Sequence, residues 1–277
     1  MNCIVTCVTP DFYQWYIPTF VYSARRAMPD VDIKIFIQGQ LDGSLRSVEG
    51  ADIEEIFSDY PPSPSILRFL VPGEKLAKYD MVYFTDIDFV FLPHGEKTLF
   101  DYHRSIMGRL GMCYAGHRGP LKAKDKPWKQ WDGRHTRIAG GAFMATREWF
   151  LVTRAARNGI LLMAKRLGLQ YREQDEVLLY HICKSSGLPT PKDVGCFICG
   201  KPYNITYRDL HLGDFKFDKR WVNMPRMRKK FLTDGNVKEY IKLSKDQGWL
   251  SAKAVASKNP LVRLTLDRAD DHVCSRS

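Results

Sequence analysis

Two aspartates, Asp86 and Asp88, follow directly on a continuous apolar run, Met81-Val-Tyr-Phe-Thr85. In an extended chain, residues two apart project to the same side. The pair can therefore hold a divalent cation and, through it, a diphosphate. Position strengthens the reading. An uninterrupted apolar run is the mark of a strand buried on both faces of a parallel sheet, and open α/β sheets bind their ligands beyond the carboxyl ends of such strands. The competing reading is a turn with two solvated acids. His211, in Tyr207-Arg-Asp-Leu-His-Leu-Gly-Asp-Phe-Lys216, offers a neutral imidazole that would complete a metal site. A carboxylate and imidazole set suits Mn²⁺ better than Mg²⁺. Gly213 permits close backbone approach, and Lys216 can reach a phosphate. In Arg172-Glu-Gln-Asp-Glu176, Gln174 and Asp175 are suited to touching a polar sugar, although such a cluster also reads as ordinary capping at a helix start.

Other residues admit weaker readings. Among the 7 cysteines only Cys196-Phe-Ile-Cys199 has metal-like spacing, with His181 and Cys183 upstream as partners for a zinc ion. The alternative is buried small apolar side chains. An odd count without framework spacing predicts reduced thiols. Trp128 and Trp131 stand among lysines and arginines between 117 and 137, and a second basic, aromatic stretch runs from 216 to 231. Tryptophan faces stack on sugar rings or on bases, so Trp128 and Trp131 are candidates for the acceptor side. A plain solvated face is the competing reading for both stretches.

Elements must position these groups. Strands are expected at 3–9, 33–37, 53–57, 81–85 and 139–145, from their β-branched and apolar runs. Helices are expected at 14–28, from a cap at Ser65 to about residue 71, at 148–167 and at 173–186. Strands alternating with helices predict a doubly wound, mostly parallel α/β sheet. Residues 113–137 read as a long loop. Residues 1–216 form the expected catalytic domain, and 217–277 an irregular, basic C-terminal appendage.

The 277 residues, 44% of them hydrophobic, suffice for one large core. No apolar run approaches the roughly 20 residues of a membrane span. Residues 1–9 read as a strand rather than a leader, so a cytoplasmic protein is expected, with peripheral contact at a membrane left open. The formal charge of +11 favours anionic partners: nucleotide diphosphates, nucleic acid, acidic glycans or anionic lipid.

Taken together, the motifs resemble glycosyltransferase family 8, which includes the glycogenins and the lipopolysaccharide galactosyltransferases. Ile66-Leu-Arg-Phe-Leu70, then Tyr79 to Asp88, is similar to that family's arginine-then-D-x-D core. Ala139-Gly-Gly-Ala-Phe-Met144 resembles its N-A-G segment, Glu173-Gln-Asp175 its D-Q-D segment, and His211 to Lys216 its H-x-x-G-x-x-K segment. Order and spacing agree over about residues 1–216. Ala139 stands where the family has asparagine, the His-to-Gly spacing is one residue short, and no Pro-Trp follows Lys216.

The resemblance implies a GT-A-like fold and sugar transfer from a UDP-sugar, with retention of anomeric configuration, to a glycan or lipid-linked acceptor. It implies that Thr9, Asp11 and Tyr13 lie at the nucleobase, that Arg68 contacts the donor and Asp86, and that Gly141 belongs to the donor site. Asp86, Asp88 and His211 would hold Mn²⁺ or Mg²⁺, and Gln174 and Asp175 would line the donor sugar as the catalytic pair. Two alternatives stand beside it: transfer to nucleic acid, such as hydroxymethylated bases of viral DNA, and an inactive nucleotide-sugar-binding protein.

Overall fold

The computed structural model describes residues 1–56, 64–93, 98–116, 138, 142–167, 175–190, 209–211 and 234–274. Three neighbouring parallel strands begin the sheet: β1 (Asn2–Val8), β2 (Asp32–Gln38) and β3 (Asp52–Ile56). On the other side of β1 lies β4 (Met81–Thr85), also parallel, with every residue buried as its apolar run requires. The sheet then changes direction. β7 (Ala142–Thr146) runs antiparallel to β4, and β6 (Tyr114–Gly116) antiparallel to β7, giving the order β3-β2-β1-β4-β7-β6. This is the α/β class expected, with its parallel half as read and an antiparallel edge. A separate ribbon pairs β5 (Phe89–Phe91) with β8 (Asp209–His211).

The direction of each strand decides what meets at the carboxyl edge of the parallel half. Thr9 follows β1 there, and Asp86 follows β4. Because β7 is antiparallel, its first residue, Ala142, pairs with Thr85 at the same edge.

Helices cover the sheet. After β1 the chain makes a 3₁₀ turn, Phe12–Tyr16, and enters α1 (Ile17–Ala27). Pro18 in the first turn of α1 removes a donor that would have no partner there. α2 (Pro64–Leu67) and α3 (Gly73–Leu76) are single turns. The helix expected from a Ser65 cap to about residue 71 is thus shorter, and Ser65 lies inside it. α4 (Leu99–Leu110) opens on a reciprocal capping box between Thr98 and Asp101 and ends at Gly111 in a left-handed conformation. α5 (Arg147–Val152), α6 (Arg154–Leu167) and α7 (Asp175–Ser185) follow.

The expectation of an irregular C-terminal region does not hold for 234–274. Three helices form there: α8 (Asp234–Ser244), α9 (Gln247–Ala256) and α10 (Pro260–Cys274). Trp249, Leu243, Leu266 and Ala269 are fully buried, and α9 packs on α1. The seam is close. A Cβ on Gly248 would lie 2.3 Å from the Tyr22 ring, so the ring sits where any other side chain would have to go. The Tyr22 hydroxyl donates to Asp246, which also caps α9 by accepting from the backbone of Gly248 and Trp249. Among the described residues no helix is long and apolar enough to cross a membrane.

Candidate active site

The centre of the site is Arg68, on the turn that leaves α2. Its side chain is 3% exposed. One nitrogen, Nη1, donates to Asp86 Oδ1 at 2.5 Å, and Nη2 donates to Asp175 Oδ2 at 2.5 Å. Arg68 therefore ties the end of β4 to the first residue of α7. Burial works against its charge, but the two carboxylates outweigh burial and raise its pKa above the ordinary arginine value. The turn is fixed locally by Phe69 N–H to Ile66 O at 3.1 Å and Leu70 N–H to Leu67 O at 2.9 Å. Beneath it Phe69 packs on Phe84 and Phe143, with ring centroids 5.2 and 5.7 Å away.

Asp86 stays 37% exposed and accepts the Arg68 bond on Oδ1, which leaves its carboxylate open to the edge of the sheet. Asp88 is buried. His211 is the last residue of β8 and pairs with Phe89, one residue beyond Asp88. The backbone ladder thus brings the third expected ligand to the D-x-D turn from 122 residues further along the chain. The donor set, carboxylate oxygens with an imidazole, fits a Mn²⁺ ion in chemistry. Among the described residues no group of three His, Cys, Asp or Glu side chains is placed to hold a metal ion.

The expected nucleobase residues lie along the same edge. Thr9 follows β1, and Asp11 caps the 3₁₀ turn by accepting from Tyr13 N–H at 2.8 Å. Tyr13 stacks near Phe12 at 4.2 Å. Gln14, which the sequence did not single out, is buried and clamps two loops. It donates to Pro10 O at 2.7 Å and accepts from Asp42 N–H at 2.8 Å, joining the exit of β1 to the loop after β2. An amide in a run of aromatic residues carried no sequence signal of this role.

Ile138 donates its N–H to Glu176 O at 3.1 Å, and Ala142 pairs with Thr85. Ile138 is thereby tied to the start of α7, and Ala142 to the end of β4. Gly141 itself, Gln174, Gly213, Lys216, Trp128 and Trp131 lie outside the described residues, as do the two basic aromatic stretches, 117–137 and 216–231. Cys196 and Cys199 do too. Cys183, proposed as their zinc partner, sits in the core, where its Sγ receives Trp149 Nε1–H at 3.4 Å. Burial pushes this thiol up to about 12, so without a metal it is neutral at pH 7. Cys3, Cys7 and Cys113 are likewise buried and free of disulfides.

No family model and no curated protein matches the chain. Similar solved structures include the galactosyltransferase LgtC in complex with donor and acceptor sugar analogues, at 14% identity and a TM-score of 0.40, over 65% of this chain and 69% of that one. The mannosyltransferase Ktr4p from S. cerevisiae in complex with GDP is similar at 11% identity and a TM-score of 0.44, over 67% and 68% of the two chains. The glycosyltransferase GlyE of Streptococcus pneumoniae TIGR4 is similar at 15% identity and a TM-score of 0.40, over 66% of this chain and 43% of that one. All three are glycosyltransferases.

Proposed function

We propose that the protein is a GT-A-like glycosyltransferase that moves a sugar from a UDP-sugar to a glycan or lipid-linked acceptor with retention, and that 1–216 carry its site. The observation that carries this reading is the buried Arg68 joining Asp86, at the carboxyl end of the central strand, to Asp175, at the start of α7. A solvated D-x-D turn has no use for a buried cation shared with a distant helix. The arrangement makes sense when the carboxylates must be held at a fixed spacing for a ligand.

In this reading Asp86, Asp88 and His211 would hold Mn²⁺, and the chemistry the ion would supply there is positive charge to offset that of a diphosphate leaving group. Lys216 adds a cation at the same phosphates. Thr9, Asp11 and Tyr13 receive the nucleobase, with Gln14 fixing the loops on which they stand. Asp175 lies beside the donor sugar with Gln174, its carboxylate oriented by Arg68 and by its own bond from Glu176 N–H. Trp128 and Trp131 meet the acceptor.

The test is donor hydrolysis across a panel of UDP- and GDP-sugars, with Mn²⁺ and with chelator. Turnover of a UDP-sugar that vanishes with chelator and returns with Mn²⁺ supports the reading. Preference for a GDP-sugar overturns the donor assignment. Tight binding with no turnover of any donor leaves the inactive binding protein in its place.

A further inference from the structure

A second buried arginine stands behind the turn that carries Arg68. Arg157 lies on the inner face of α6 and is 2% exposed. Its Nε donates to Phe69 O at 2.9 Å, and its Nη2 donates to Val71 O. Both acceptors belong to the stretch that begins one residue after Arg68. The guanidinium lies over the rings of Trp149 and Phe150, 5.4 and 5.3 Å from their centroids. Gly73 leaves room for it, since a Cβ there would sit 3.2 Å from Nη1.

Among the described residues no carboxylate lies within ion-pair distance of Arg157, and Glu74 acts on it only through space. Burial pulls its pKa down to about 10, so it is still charged at neutral pH. A cation in an apolar layer with carbonyls as its partners is costly to keep, and a methionine would fill much the same space without that cost. What an apolar side chain cannot do is hold two carbonyls, two residues apart, with one rigid fork.

We propose that Arg157 is a positioning residue for the donor site: by gripping the main chain at Phe69 and Val71 it aims Arg68 at Asp86 and Asp175. The proposal rests on the donor-site reading above. It goes beyond that reading by giving the site a support on α6, an element that contributes no group to the donor or the metal.

The experiment compares Arg157→Met, Arg157→Lys, Arg68→Met and the double variant Arg68→Met/Arg157→Met in the full chain. Leu266→Ala, in the distant C-terminal helices, serves as a destabilised control. Each is assayed for donor hydrolysis, kcat and KM separately, at a temperature where circular dichroism shows it folded. Arg157→Met should lower kcat/KM at least tenfold, with Arg157→Lys recovering part of the loss because it keeps the cation without the fork. Leu266→Ala should lose stability and keep its activity. If Arg157 acts through Arg68, its substitution should cost little more once Arg68 is already Met. Should Arg157→Met not fold, a several-fold loss in folded Arg157→Lys carries the test. Wild-type kcat and KM in folded Arg157→Met and Arg157→Lys, or fully additive losses in the double variant, would overturn the proposal. The donor-site reading fails separately and earlier, on the unaltered protein, if that protein neither binds UDP with Mn²⁺ nor turns over any donor, and the proposal falls with it.

Discussion

Arg68 and Arg157 are buried guanidiniums on either side of one short turn, and the protein treats them in opposite ways. Arg68 is matched by two carboxylates, and its pKa is raised in spite of burial. Arg157 is matched by backbone carbonyls, and burial prevails, drawing its pKa down to about 10. The difference separates two tasks. The partners of Arg68 are carboxylate side chains, Asp86 and Asp175, so in the proposed reading its bonds belong to the site. The partners of Arg157 are main-chain carbonyls of buried residues, so its bonds belong to the frame.

The largest effect expected is on turnover, at the D-x-D end of the Arg68 corner. Asp88→Asn should slow donor hydrolysis by at least about a hundredfold, or about 2.7 kcal/mol of barrier, in steady-state assays with Mn²⁺. The fold should survive, because the shape of the side chain is kept. A variant with full activity would remove Asp88 from the site.

Next comes stability. Arg68→Met strands Asp86 and Asp175 without their cation, and breaking a buried pair from one side costs about 3–5 kcal/mol. Asp86 is partly exposed, which argues for the lower end of that range. Urea denaturation measures it. A loss below about 1 kcal/mol would erase the contrast between the two arginines, since Arg68 would then be no more than a surface ion pair.

The smallest effect lies far from both, at the seam of α1 and α9. The hydrogen bond from Tyr22 is the main cause that lowers the pKa of Asp246 in the folded protein. A depressed carboxylate contributes stability above its unfolded pKa of about 3.9, and that contribution is lost as pH falls through the lower, folded value. The C-terminal helices should therefore loosen on acidification below about pH 4. In Tyr22→Phe that acid-sensitive increment should be smaller, since Gly248, Trp249 and Arg26 still act on Asp246, and hydrogen exchange in α9 should be faster already at neutral pH. Exchange unchanged at both pH values would show that the seam is held by packing alone.

How far the sequence speaks differs between these regions for physical reasons. The run 81–85 could be placed because a strand buried on both faces leaves an unbroken apolar record, and the acids after it then stand at a ligand-binding edge. The Arg68 bond to Asp86 was available only through the family resemblance, and its second bond, to Asp175, depends on a fold that closes 107 residues of chain. The reversal at β7 left no trace, since an apolar run does not encode which way its neighbour points. Arg157 was invisible for a related reason. An arginine among Phe150, Thr153 and Ile160 on one helical face reads as a break in an apolar stripe, and only the carbonyls opposite explain it. The C-terminal helices were legible in principle: Val262, Leu266, Ala269 and Val273 are spaced by four, three and four. The dense charge around them obscured that period.

The seat of Tyr22 on Gly248 also bears on the order in which the molecule is made. The hydrogen bond at that seam joins residues 224 positions apart. At roughly 5–20 residues per second, α1 would leave the ribosome roughly ten to forty-five seconds before the helix that covers it exists. Through that interval β1 can already pair with β2, while the outer side of α1 waits uncovered. The nascent chain thus carries an apolar surface that its last helices must retire, and Gly248 is the point where closure tolerates no added atom.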